Sequence, residues 1–257
     1  MNQFIDAFIT QFQSHCRAVH LYGSQVIPNS LDFWSDFDFM VEVIPGLPLL
    51  PIAFEGWLHQ QGQVLAREIH SSSEVITHRL ILEVTGKIVR LDLGFCTQQH
   101  WQKFIPDQHA PSQTLWENTQ PRRVVKLMGE PEVMVPAEQE TWFLYFECLK
   151  KFMRNDHLIG LHLLLSLLKQ YLELRMLERD EKRGTNVHRH GQAELLPEEI
   201  EFSQLHYQDK RQVAAYLLYL ARLWDQASAR HNADYVSSLA GFTRYVQASL
   251  IHLDHSS

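Results

Sequence analysis

The run Ala18-Val19-His20-Leu21-Tyr22-Gly23-Ser24, followed after eleven residues by Asp36-Phe37-Asp38-Phe39-Met40-Val41-Glu42-Val43, decides how the first half of the chain is read. An apolar and aromatic stretch stopped by Gly23-Ser24 is how a strand entering a tight loop looks. In the second stretch Phe37, Phe39, Val41 and Val43 alternate with Asp38, Met40 and Glu42, the two-residue period of a strand. The spacing therefore predicts strands over 18–22 and 37–43, joined by a loop over 25–35 that contains Pro28, Asn29 and Ser30.

Working outward, the first residues, MNQFIDAFITQFQSH, read as an amphipathic helix and not as a signal peptide, since they carry no basic leader and polar residues interrupt the apolar ones. Pro45, Pro48 and Pro51 mark a turn, and 52–65 resembles a helix with Ile52, Phe54, Trp57 and Leu58 at apolar positions. Residues 79–84 and 88–95 flank Thr85-Gly86-Lys87, a hairpin signature. Pro106, Pro111, Pro121, Pro131 and Pro136 then leave little room for a long regular element, and we place the domain junction there, giving expected domains 1–135 and 136–257.

Beyond Pro136 the pattern is helical. Residues 137–154 put Trp142, Tyr145, Phe146, Leu149, Phe152 and Met153 on one face. Asp156 is placed to cap a second helix over 158–179, whose leucines fall on nearly all sides, as expected of the central helix of a bundle. A polar loop over 180–197 and two further helices, 209–229 and 234–253, complete an α+β chain with a C-terminal helical bundle.

Composition bounds the partners. The 257 residues, 45% hydrophobic and 21% charged, suffice for a sizeable core, and a formal charge of -7 disfavours a long polyanion such as nucleic acid. Cys16, Cys96 and Cys148 have no metal spacing and are odd in number, which suits a reducing cytoplasm. No apolar run reaches the ~18 residues a membrane span needs, so a soluble protein with no membrane partner is expected.

The chemistry sits in three carboxylates. Residues two apart on a strand point the same way, so Asp36 and Asp38 aim at one point, and a neighbouring strand can bring Asp92, in Arg90-Leu91-Asp92-Leu93, alongside them. Carboxylate oxygens are what magnesium prefers, and two ions can stabilise the attacking and leaving oxygens of phosphoryl transfer. Gly23 lets backbone approach a phosphate closely, and Ser24 with adjacent N–H groups can cradle one. The plainer alternative makes Asp36 a turn residue, leaves Asp38 solvated on an edge and pairs Asp92 with Arg90 or Arg79.

Gly23-Ser24, Asp36-Phe37-Asp38 and the later Asp92 resemble the signature of the DNA polymerase β-type nucleotidyltransferase superfamily. The resemblance covers residues 18–95. It implies an antiparallel or mixed sheet with flanking helices, two Mg²⁺ held by Asp36 and Asp38, Asp92 as a further ligand or activator of the acceptor, and a nucleoside triphosphate, expected to be ATP, held at Gly23 and Ser24. The helical half, from Phe152-Met153-Arg154-Asn155-Asp156-His157-Leu158 through Leu172-Glu173-Leu174-Arg175-Met176, is similar to that of lincosamide nucleotidyltransferases, with kanamycin- and streptomycin-modifying enzymes as looser relatives. That likeness implies a small-molecule acceptor and antibiotic resistance. In such relatives a glutamate of this helix is general base and a lysine meets phosphate, which would assign Glu147 and Lys151 those roles. A protein or toxin acceptor and a catalytically silent module on the same fold are the alternatives, and a second copy of the chain as partner is left open.

Weaker candidates stand beside these. Glu147 and Lys151 also suit a solvated helix face with an i,i+4 pair. Trp142, Phe143 and Tyr145 are offered as an acceptor wall, or as ordinary core. His188-Arg189-His190 has the look of a surface feature more than of a zinc site, and Arg79, Arg90, Arg122 and Arg123 are candidate triphosphate contacts or partners of surface acids.

Overall fold

A computed structural model describes residues 2–108, 111–119, 135–184 and 205–256. The chain divides into two compact units, Met1–Glu140 and Thr141–Ser257, so the division falls in the first turn of a helix that begins at Ala137.

In the first unit the helix α1 (Asn2–Phe12) is followed by β1 (Cys16–Tyr22), a single 3-10 turn (Gly23–Val26) and β2 (Phe37–Val43). Then come α2 (Phe54–Gln61), β3 (Gln63–Ser71), β4 (Val75–Val84), β5 (Lys87–Cys96), α3 (Gln98–Gln108) and β6 (Ser112–Glu117). The strands form one six-stranded sheet in the order β3-β4-β5-β2-β1-β6. The β2–β5 pair is parallel and every other pair antiparallel, so the sheet is mixed. The turn between β4 and β5 has positive φ at both Thr85 and Gly86, the geometry a two-residue hairpin favours.

Strand alternation divides the sheet into two unlike faces. Phe39, Val41, Val43, Leu80, Leu82, Leu91, Leu93 and Phe95 pack in one cluster with Phe4, Ile5, Phe8 and Phe12 of α1 and Phe54, Trp57 and Leu58 of α2. The opposite face is apolar only in a small patch, where Met40 and Cys96 meet Trp101, Phe104 and Ile105 of α3. Asp38 and Asp92 lie on that face, beside the side chains of Arg79 and Arg90.

Two expectations fail here for identifiable reasons. The helix expected over 52–65 ends at Gln61, and β3 begins at Gln63. A register shift between Val64 and Ala66 breaks the two-residue period of β3. Its Arg67 is buried, making two hydrogen bonds to Glu55 (2.7 and 2.5 Å) and one contact with the buried His78 (2.5 Å), so a charged residue stands where the pattern calls for an apolar one. The proline-marked stretch is also more regular than expected, because α3 and the edge strand β6 form within it. In α3, Trp101, Phe104 and Ile105 sit at one-turn spacing against the sheet, with Pro106 in the last turn.

The second unit contains α4 (Ala137–Met153), α5 (His157–Arg183), α6 (Lys210–His231) and α7 (Leu239–Ser256). Asp156 caps α5, its carboxylate accepting from the Ile159 amide at 3.4 Å, and Asp209 caps α6, accepting from the Arg211 and Gln212 amides. The helix expected to end at Arg179 runs on to Arg183, closed by Gly184 at φ +64. The last helix starts at Leu239, not Asp234.

The central helix is α4 and not α5. From Thr141 to Met153 the buried side chains of α4 lie on nearly all sides, whereas Leu158 and Leu165 of α5 are 83% and 61% exposed. The sequence left open whether Glu147 faces a cleft or solvent; it is buried, as is Lys150, with Glu147 Oε1 3.9 Å from Lys150 Nζ. The aromatics of α4 are core: Trp142 stacks edge-on against Trp224 of α6 at 5.4 Å and Phe146 against Phe242 of α7 at 5.2 Å.

Candidate functional site

The sheet register assembles the polar row. Tyr22 lies opposite Asp38, Asp38 opposite Asp92, Asp92 opposite Arg79, and Arg79 opposite Glu68, so one line across β1, β2, β5, β4 and β3 brings these side chains to the same face. Asp36, one residue before β2 and in step with Asp38, joins the row. Ligand oxygens of Asp36, Asp38 and Asp92 all lie within 4.8 Å of one another, and the three residues are half-buried. The shared register of Asp38 and Asp92 follows from β2 and β5 being parallel neighbours, which sets Phe37 beside Leu91 and advances both strands together.

The turn after β1 is built onto this cluster. Gly23 has φ +71, and a Cβ on it would stand 2.7 Å from Asp38 Oδ2, so the position demands glycine for its backbone and for the space of the carboxylate. Ser30 Oγ donates to the Ser24 carbonyl at 2.6 Å, and Gln25 Nε2 donates to the Asp36 carbonyl at 2.9 Å, which fastens the start of the loop to the start of β2. Tyr22 is pushed above its ordinary phenol range, first by burial and then by Asp38, Asp92, Cys96 and Asp36. It therefore stays a neutral hydroxyl beside the carboxylates.

Two arginines meet the acids. Arg90 reaches Asp36 with Nη1 at 2.9 Å and Asp92 with Nη2 at 3.0 Å. Arg79 lies 3.4 Å from Asp92 and 2.5 Å from Glu68. The ion pairs of the plainer alternative are thus present together with the convergence of the three carboxylates. Gln25 and Tyr22 did not stand out in the sequence. The signal for Arg90 was its spacing of two residues from Asp92, which puts both on one face.

Further along the same face His20 contacts Glu42 at 2.8 Å and Thr114 at 3.1 Å and stacks on Trp101 with ring centres 4.3 Å apart. This ties α3 and β6 to β1 and β2.

The donor set suits a hard divalent cation, because all three side chains offer oxygen and none offers sulfur or imidazole. Glu147 and Lys151 belong to the second unit. Lys151 Nζ lies 3.5 Å from Asp156 Oδ2, the cap of α5, and Glu147 Oε1 lies 3.9 Å from Lys150 Nζ, the contacts that stand where the alternative reading put a Glu147–Lys151 pair. Trp142, Phe143 and Tyr145, offered as an acceptor wall, are at most 1% exposed and form the bundle core. His188, His190, Arg122 and Arg123 lie outside the described residues. Among the described residues no helix is long and apolar enough to cross a membrane.

Comparison of the chain with models of known protein families finds none that matches, and comparison with curated proteins finds no match either. What the site does has to be read from its own chemistry.

Proposed function

We propose that the chain is a metal-dependent nucleotidyltransferase that moves a nucleoside monophosphate from a triphosphate, ATP in our reading, to a hydroxyl of a small molecule and releases pyrophosphate. One observation carries the proposal: three carboxylates whose oxygens lie within 4.8 Å of one another, set against a turn whose glycine leaves room for one of them. Asp36, Asp38 and Asp92 would hold divalent cations, with Mg²⁺ the natural choice for an all-oxygen set. When bound, such ions neutralise phosphate charge and stabilise the oxygens of an in-line displacement. The chain itself contributes a fixed ligand geometry from two paired strands, a turn that brings Gly23 against Asp38, and the Tyr22 hydroxyl as a neutral hydrogen-bonding group.

The antibiotic acceptor rests on the likeness of the helical half, and Glu147 as base and Lys151 as phosphate contact rest on it alone. Three buried free thiols, Cys16, Cys96 and Cys148, suit the reducing cytoplasm where we place the protein. A second reading, a catalytically silent module, is favoured by Arg90, since a guanidinium already bridges two of the three acids. Purified protein incubated with each labelled triphosphate, Mg²⁺ and a panel of lincosamides, aminoglycosides and proteins tests both. Transfer to one acceptor class that Asp38→Asn abolishes supports the enzyme, and no transfer combined with no Mg²⁺ binding supports the silent module.

A further inference from the structure

We infer that Arg90 is an internal counter-cation that competes with a divalent ion for Asp36 and Asp92, so that loading the site with metal requires its guanidinium to let go of them. The inference rests on the proposed metal site and adds a gatekeeper to it.

The geometry is specific. Arg90 sits on β5 two residues before Asp92, on the same face, and reaches across to Asp36 at the mouth of the parallel neighbour β2. Its two terminal nitrogens take one carboxylate each, at 2.9 and 3.0 Å. A planar fork with two donors matches two acceptors in a way a lysine ammonium does not. The Arg90 side chain is only 10% exposed, so water does little to weaken either contact. Arg90 engages Asp36 Oδ2 and both oxygens of Asp92, the latter through Nε at 3.3 Å and Nη2 at 3.0 Å, so a cation among the three carboxylates has to share these oxygens with it.

The charges around the cluster leave room for one divalent ion. Asp36, Asp38, Asp92 and Glu68 bring four negative charges, and Arg79 and Arg90 bring two positive ones. These six side chains leave two negative charges over, the complement of one divalent ion. Arg79 can keep its contact with Glu68 whatever happens at Asp92, whereas both contacts of Arg90 described above are with members of the cluster. Arg90 is thus the cation that must yield. Once displaced, a guanidinium next to a metal-triphosphate has a natural second partner in a phosphate oxygen, which would couple metal loading to nucleotide binding.

The test measures Mn²⁺ binding to the full chain by electron paramagnetic resonance and by calorimetry, with thermal unfolding recorded alongside. The variants are Arg90→Gln, Arg90→Lys and Asp38→Asn. Removing one positive charge from the cluster should tighten Mn²⁺ binding about ten- to a hundredfold in Arg90→Gln while lowering the metal-free unfolding temperature. Arg90→Lys, which keeps the charge but not the fork, should fall between Arg90→Gln and the wild type, and it carries the test should Arg90→Gln not fold. Asp38→Asn should bind Mn²⁺ more weakly than the wild type. If the wild type binds Mn²⁺ in an Asp38-dependent way but the Arg90 variants bind no more tightly, the gatekeeper is overturned and the metal site stands. If no protein, Arg90→Gln included, binds Mn²⁺, the metal site itself falls and the gatekeeper with it.

Discussion

Replacing Gly23 with alanine separates a turn residue from a residue that shapes the site. Two effects are expected. The φ of +71 places an added Cβ in the left-handed region, which costs an L-residue about 1–2 kcal/mol. The same Cβ would stand 2.7 Å from Asp38 Oδ2, against about 3.3 Å for an ordinary close carbon–oxygen contact, so the carboxylate or the turn must shift by about 0.6 Å. Displacing a metal-binding carboxylate through its surroundings typically weakens metal binding about 10- to 100-fold. Gly86→Ala provides the control, since Gly86 also has positive φ, +76, but nothing lies within 4 Å of its added Cβ. Both variants should lose similar stability in urea titrations, while Mn²⁺ affinity should fall only in Gly23→Ala. Equal Mn²⁺ affinity in the two variants would refute the claim that Gly23 makes room for Asp38.

Asp38→Asn should abolish nucleotidyl transfer, because it removes a ligand charge held directly beside Asp92; a variant that turns over normally contradicts the assignment. His78 is buried against Phe54 and Phe95 and pushed down to about 3, first by burial and then by the Arg67 guanidinium. A histidine held neutral in the folded chain binds fewer protons than the unfolded one, so stability should fall as pH drops from 6.5 toward 3, by about 1.4 kcal/mol per unit from this group. The acid slope should flatten in His78→Gln, and identical slopes would exclude His78 as its source. In the bundle, the Trp142 indole donates to Tyr235 Oη at 3.0 Å, and that hydroxyl donates to Asp225 at 2.6 Å. Tyr235→Phe should cost about 1–3 kcal/mol by stranding a buried indole N–H, and a change below 0.5 kcal/mol on the same scale would show that the indole finds another acceptor.

How much of the fold could be read from the sequence depended on whether each residue's polarity matched its surroundings. β2 was legible to the residue because its odd positions face the α1 and α2 core and its even positions do not. β3 was not, because the bulge at Val64 and Ala66 shifts its period and Arg67 is buried on an ion pair with Glu55 that only the tertiary structure brings within reach. The bundle misled in the same way. A glutamate and a lysine buried side by side made α4 look half-solvated, and the leucines of α5 made a helix with exposed Leu158 and Leu165 look interior.

The site was legible for a different reason. Asp36 and Asp38 share a face by chain geometry alone, and Asp92 needed only one further condition, that its strand neighbour theirs. The β2–β5 pairing meets it and sets Asp38 directly beside Asp92. The arginines were harder to assign, since a guanidinium on a strand can serve a phosphate, a surface acid or a ligand carboxylate with the same residue type. Choosing among these needs the distance from Arg90 to Asp36, which crosses two strands far apart in sequence and is fixed by register rather than by spacing. The same contact bears on chemistry. A carboxylate cluster with no internal cation would pull its strands apart by like-charge repulsion whenever metal is absent, and Arg90 removes much of that repulsion while leaving the acids in place. A cation that stabilises the empty cluster must also oppose its filling, so stability of the metal-free chain and affinity for metal are set against each other through one side chain.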